Sequence, residues 1–219
     1  MSALVAGFRT RVVDPIDRIS EILFGLIMVL TFTGSLSVAE AGREDVRIML
    51  IGALGCNLAW GIIDGVLYLM GGLGEKARTA LALRAARRSP SADEAQRLVA
   101  EMLPAPVAAL VGPTELAAIE QRLRQAPEPA IPRLDRGDWL GALGVCLLVF
   151  LSTFPVAIPF LVINSPMAAL RVSNAVVIVM LTAAGAMFAR LTGRNAWLWG
   201  LAMVLLGAGL AGLAMALGG

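Results

Sequence analysis

Four side chains in largely apolar surroundings could handle a cation or a proton: Glu21, Met28, Asn57 and Asp64. A carboxylate binds metal ions or carries a proton. An amide carbonyl is a neutral oxygen ligand, and a thioether suits soft or borderline transition metals. Asn57 and Asp64 stand in GCNLAWGIIDGVLYLM, residues 55–70, where Asn57, Trp60, Gly61 and Asp64 recur at helical spacing. They share one face, which Gly65 and Tyr68 extend, and Gly61 and Gly65 form a small-xxx-small pair that lets another helix approach closely.

A carboxylate at mid-helix costs roughly 2.5 kcal/mol or more against lipid, so Asp64 is expected to face protein or water. Two roles are open to it. It binds a cation or a proton along a pathway, or it is one half of an ion pair near the cytoplasmic boundary with Arg18, Arg190 or Arg194. Asn57 is equally suited to an interhelical hydrogen bond and to ligation. Glu21, Gly25, Met28, Phe32 and Ser35 trace one face of the preceding apolar run, and Met28 there is either a ligand or a packing residue.

These residues need a membrane helix to hold them, and the composition supplies it. Of 219 residues, 58% are hydrophobic and 16% charged, with a mean hydropathy of +0.80. Soluble domains are nearer half apolar and a quarter charged. Several runs approach the roughly twenty apolar residues that cross about 30 Å of hydrocarbon. The expected architecture is an all-α, polytopic membrane protein with five spans, at residues 19–38, 48–70, 139–163, 172–189 and 196–217. Residues 1–73 form the N-terminal segment with the first two spans, 74–138 a helical cytoplasmic insertion, and 139–219 the last three spans. The first eighteen residues lack the apolar core of a signal peptide, so the first span is expected to serve as an uncleaved anchor.

Arginine placement sets the expected orientation. With the N-terminus inside, Arg9, Arg11, Arg18, all ten basic residues of the insertion, Arg190 and Arg194 are cytoplasmic, and only Arg43, Arg47 and Arg171 lie outside. Gly219 is then outside. Trp139, Trp197 and Trp199 fall at cytoplasmic ends of spans, as an aromatic belt would. The expected location is the bacterial inner (plasma) membrane, with the lipid bilayer as first partner and no nucleic-acid binding.

Within the insertion, EKARTALALRAARR (residues 75–88) has helix-forming composition and an apolar stripe. SADEAQRLVAEML begins with Ser91 and carries Glu94 three residues on, a capping box. PTELAAIEQRLRQA is a third helix, and PEPAIPR a stiff linker into the third span. Glu94, Glu101, Glu115 and Glu120 are available there as weak cytoplasmic metal ligands. Pro155 and Pro159 in TFPVAIPFL interrupt the third span, as a hinge or as a shape fitted to its neighbours. Gly207, Gly209 and Gly212 in the fifth span favour close helix packing.

The chain has no histidine, which excludes His-ligated zinc, a histidine proton relay and a Ser-His-Asp triad within it. Cys56 and Cys146 lie in apolar runs and read as packing residues. No nucleophile–base pair stands out, so an enzyme is not expected, nor a prosthetic group.

Three segments resemble the vacuolar iron transporter family, as in a divergent bacterial-type member. FARLTGRNAWLWGLAMVLLGAGLAGLAMALGG, from Phe188 to the end, is similar to the family's ending, where a basic Leu-Thr-Gly turn leads into a glycine-rich last helix. TFPVAIPFL is similar to its proline-containing third span, and ISEILFGL to the start of its first. The resemblance implies a homodimer that exports ferrous iron or manganese from the cytosol with proton exchange, along a path between the first two spans. Fe2+ or Mn2+ is then substrate. On this reading Asp64 is the cation or proton site. Asn57 ligates or orients it, Met28 faces the same path, and Glu21 collects cations at the mouth. Met28 stands where the family's first span carries an Asp, and Trp60 and Asp64 where its second carries a methionine and a glutamate. The alternative is a transporter-like membrane protein that transports no metal and acts as a scaffold or interaction module.

Overall fold

In a computed structural model the described residues are 13, 15–34 and 43–216, and they form helices with no strand among them. Arg9, Arg11, Ser35, the expected first-span boundary at Val38, the fifth-span boundary at Leu217, and Gly219 lie outside the described residues, as does the side chain of Phe32. The helices are α1 (Pro15–Gly34), α2 (Arg43–Arg88), α3 (Ala92–Met102), α4 (Ala105–Ala108), α5 (Pro113–Gln125), α6 (Arg136–Ser152), α7 (Phe154–Val162), α8 (Pro166–Thr192) and α9 (Ala196–Ala216). Four segments are long and apolar enough to cross a membrane: Glu44–Arg88, Arg136–Val162, Pro166–Thr192 and Ala196–Leu213. The chain is an all-helical integral membrane protein.

The helices fall into two compact units. One takes in residues up to Tyr68 and from Gly137 onward, the other Leu69–Arg136. In the first, α8 packs against α1, α7 and α9, and α9 also touches α1. Leu26 and Val29 of α1, Ala53 of α2, Val156 of α7, and Val177 and Leu181 of α8 close into one buried cluster. Large apolar side chains such as Ile62, Val66, Leu143 and Val179 point outward, as lipid-facing positions require.

The second span and the start of the insertion are one helix. The expected break near Gly74 is absent: α2 runs 46 residues through Gly71, Gly72 and Gly74. Glycine costs a helix about 1 kcal/mol relative to alanine. No proline accompanies these three, so the helix formers on either side carry it through.

The third span is interrupted at Thr153, between α6 and α7. Pro155 and Pro159 lack the N–H groups that would reach the Leu151 and Pro155 carbonyls. Ser152 Oγ bonds back to the Val149 carbonyl at 2.7 Å, and Ser173 Oγ of α8 donates to the Val156 carbonyl at 2.9 Å.

The fourth span is longer than expected at both ends because its caps are well made. Ser165 accepts from the Ala168 N–H, Pro166 holds the first turn, and Gly193 ends the helix in the left-handed region at φ 68°. Asn195 Oδ1 then accepts from the N–H groups of Trp197 and Leu198, at 3.0 and 3.2 Å, and starts α9. The Leu191-Thr192-Gly193-Arg194-Asn195 stretch is thus two helix caps back to back. In α9, a Cβ on Gly207 would come 2.7 Å from Leu181 Cδ1, whereas Gly209 and Gly212 meet nothing within 4 Å among the described residues. Close packing therefore explains Gly207 and not the other two.

Within Leu69–Arg136, the return segment is bonded to the helix it passes. Arg84 Nη2 donates to the Pro129 carbonyl at 2.7 Å, Arg87 to the Ala126 carbonyl, Arg88 to Glu128 at 2.6 Å, and Lys76 to Asp135 at 2.9 Å. From Lys76–Asp135 through Arg84–Pro129 to Arg87–Ala126 the partner numbers fall as the helix numbers rise, so residues 126–135 run antiparallel along the end of α2. The stiff linker is a strap held by arginines. The capping box is half made: Ser91 Oγ accepts from the Glu94 N–H at 3.2 Å, while the Glu94 carboxylate takes the Ser89 hydroxyl at 2.9 Å instead of the cap N–H.

Candidate functional site

At about 100° per residue, the polar face of α2 is broad enough to meet two neighbours. Relative to Asn57, Asp64 and Trp60 turn to one side, and Gly61 and Gly65 to the other. The structure uses both. Trp60 stacks edge-on against Phe24 of α1 with ring centroids 5.5 Å apart. One turn further, the carboxyl groups of Asp64 and Glu21 lie within hydrogen-bonding reach of each other. On the opposite flank, a Cβ on Gly61 would sit 2.7 Å from the Cys146 carbonyl oxygen, and one on Gly65 3.0 Å from that of Ala142. Tyr68 lies over Gly141, where a Cβ would approach its ring to 2.5 Å.

The Gly61/Gly65 groove is therefore filled by α6 of the same chain. The helix that the small-xxx-small pair was expected to admit is thus the third span. Tight backbone approach is what the two glycines permit, and the third span already takes that place.

Asn57 is fully buried between the two flanks. Its Nδ2 donates to the Gly25 carbonyl of α1 at 3.2 Å and to Thr153 Oγ1, at the break in the third span, at 2.5 Å. Its Oδ1 is buried with no partner among the described residues. The amide cannot be reversed, since that would set Oδ1 against the Gly25 carbonyl oxygen. Asn57 is thus a bridge between three spans. Thr153 was not singled out from sequence; a hydroxyl two residues before Pro155 was the available signal.

The paired positions Gly25–Asn57, Phe24–Trp60 and Glu21–Asp64 set an antiparallel register for α1 and α2. Asp64 lies roughly 10 Å along the axis from Asn57, two helical turns. Met28 is half-buried on α1, beyond the Asn57 level and away from the acidic pair. Glu21 and Asp64 are brought together; Asn57 and Met28 stand at separate depths along the same helix pair. Among the described residues neither Arg18, Arg190 nor Arg194 bridges Asp64; Arg18 Nε donates to the Val13 carbonyl at 3.1 Å.

The four insertion glutamates are not gathered. Glu94 bonds Ser89, Glu101 lies 3.9 Å from Arg97, Glu120 pairs with Arg124, and Glu115 lies against Gly112. Among the described residues no three acidic, cysteine or histidine side chains cluster as a metal site.

No curated protein sequence matches this chain. Residues 72–219 match the VIT family, so the match covers α3 to α9 and the end of α2 but not Glu21, Met28, Asn57 or Asp64. That stretch is more than half of the chain, and it contains the broken third span and the double cap at Gly193 and Asn195: the chain belongs to the VIT family.

Proposed function

We propose that the chain exports a divalent metal cation, Fe2+ or Mn2+, from the cytosol in exchange for protons, with Glu21 and Asp64 as the exchange site. Membership of a family of membrane metal-ion transporters, not enzymes, supports transport in general. The observation that carries the finer reading is the approach of the two carboxyl groups across α1 and α2. Two ionised carboxylates have no donor between them, so a hydrogen bond joining them needs a proton on one. A divalent cation between them takes the place of that proton and is attracted by both charges. Proton and cation then compete for one site, which is the elementary requirement of an exchanger. In this reading α1 is the first of five spans, residues 74–138 are the cytoplasmic insertion, and the bacterial inner membrane holds the chain with its N-terminus inside and C-terminus outside. The working form is a homodimer, whose contact surface is not the Gly61/Gly65 groove. Asn57 holds the helix pair in register, and Met28 lines the route beyond it.

One observation favours the scaffold reading. The family match begins at residue 72, after the helix pair that would form the path. Fe2+ and Mn2+ flux into proteoliposomes separates the two readings. Wild-type protein is expected to carry at least one of these metals down an opposed proton gradient. Asp64→Asn, which keeps the shape and can still hydrogen-bond Glu21, is expected to lose flux without losing thermal stability. Normal flux per folded Asp64→Asn molecule would end the exchange-site reading, and no flux of either metal by the wild type would favour the scaffold.

A further inference from the structure

A cleft of about 440 Å³ opens between the start of α2, the end of α7 and the start of α8, away from the acidic pair. Its lining includes Leu50 and Leu54 of α2 and Phe154 and Ala157 of α7. Val46, Leu50, Ala157, Phe160 and Ala169 also form a buried cluster beneath it, so the walls are packed. From Val46 to Leu54 it runs roughly 12 Å along α2, close to the ~15 Å depth of one hydrocarbon leaflet. Among the described residues its lining contains one charged side chain, Arg47, at the helix-start end. Arg47 is 71% exposed and has Glu44 at 3.8 Å, a long surface pair of a kind that contributes little.

We infer that this cleft is a binding site for one anionic phospholipid, with an acyl chain along Leu50, Leu54 and Phe154 and the phosphate on Arg47. An apolar groove at membrane depth is filled by hydrocarbon, since an empty one forfeits packing on every wall. The single cation at the rim selects the head: guanidinium presents several N–H donors in a fork that matches phosphate oxygens. An arginine at a helix end extends to the interface, where headgroups lie. The same charge repels a metal cation, so the cleft is no branch of the Glu21–Asp64 route. The inference does not depend on the transport reading.

The test uses the full chain in mild detergent, exchanged into phosphatidylglycerol or phosphatidylcholine, with retained lipid counted by native mass spectrometry. Wild-type protein is expected to keep one phosphatidylglycerol per chain and to prefer it over phosphatidylcholine. Arg47→Gln is expected to lower phosphatidylglycerol retention about fivefold to tenfold without changing phosphatidylcholine, the scale of one basic residue near an anionic surface. Arg47→Lys is expected to restore most of it. Ile158→Trp, which fills the cleft from a side chain that is 50% exposed, is expected to displace both lipids. Thermal unfolding of each variant checks that the fold is kept. Equal retention of the two lipids by the wild type would overturn the proposal, and so would unchanged phosphatidylglycerol in Arg47→Gln. An Ile158→Trp variant that turned a dimer into a monomer with its lipid intact would assign the cleft to a second copy of the chain and overturn it equally.

Discussion

Asn57 lies 32 residues from Gly25 and donates to its backbone carbonyl at 3.2 Å. The same Nδ2 reaches Thr153, so one amide ties α1 and α2 to the weakest point of the third span. Such a bond holds helices at fixed depth where apolar packing alone permits sliding, because lipid is as apolar as the side chains it would replace.

Asn57→Leu therefore removes two interhelical hydrogen bonds while keeping the number and branching of the side-chain heavy atoms. Single bonds of this type in membrane proteins contribute about 0.6 kcal/mol, and up to ~1.7. A loss of roughly 1–3 kcal/mol is expected, read as a lower midpoint of unfolding in detergent. Asn57→Asp is expected to be worse if ionised, since it sets a charged acceptor against the Gly25 carbonyl. An Asn57→Leu variant as stable as the parent would remove the bridging role.

Two glycines of α2 six residues apart should respond oppositely to alanine. A Cβ on Gly61 meets the Cys146 carbonyl oxygen at 2.7 Å, a backbone atom that cannot swing aside. Overpacking of this kind costs about 1–3 kcal/mol. Among the described residues Gly55 has nothing within 4 Å of its would-be Cβ, so Gly55→Ala is expected to be neutral or to stabilise by up to ~1 kcal/mol through helix propensity. Unfolding of the two variants side by side checks the contrast. Equal effects would mean that the α2–α6 contact is looser than described.

Much of this arrangement was legible in the residues. Helical spacing of Asn57, Gly61 and Asp64 marked a face that meets neighbouring helices, and Pro155 and Pro159 marked the break in the third span. Which neighbour each residue meets was not legible. A small-xxx-small pair announces that a backbone will approach closely, but not whose, and Gly61 and Gly65 turned out to receive α6 of their own chain. Nor could spacing show that the face has two flanks, because 60° of rotation separates Trp60 from Asn57 only once neighbours stand on both sides. The continuity of α2 was hidden by Gly71, Gly72 and Gly74, which read locally as a stop. The strap was hidden because its bonds join residues far apart in sequence, such as Arg84 and Pro129.

Continuity of α2 has its own consequence. Amide groups of residues 71–76 sit in an unbroken helix, so they are expected to exchange with deuterium as slowly as their flanks in the same helix. Gly72→Pro would remove one helical bond and clash with the preceding turn, at a cost of about 3 kcal/mol or more. Fast exchange confined to residues 71–76 of the parent protein would show that α2 is not continuous there.

The acidic pair makes the sharpest functional prediction, because two residues sharing one exchangeable proton or cation act as a unit. Glu21→Gln and Asp64→Asn are each expected to abolish most metal flux, and the double variant to be no worse than either alone. Independent sites would instead multiply their losses, since the logarithms of uncoupled effects add. Each variant keeps hydrogen-bonding groups at both positions, so folding should survive and flux can be expressed per folded molecule. Met28→Leu is the companion control: it preserves packing volume, and a flux loss there for one metal only would implicate the thioether in selectivity. If the Glu21→Gln and Asp64→Asn losses multiply in the double variant, the two carboxyls do not share a site, and proton–cation competition between α1 and α2 is not the mechanism.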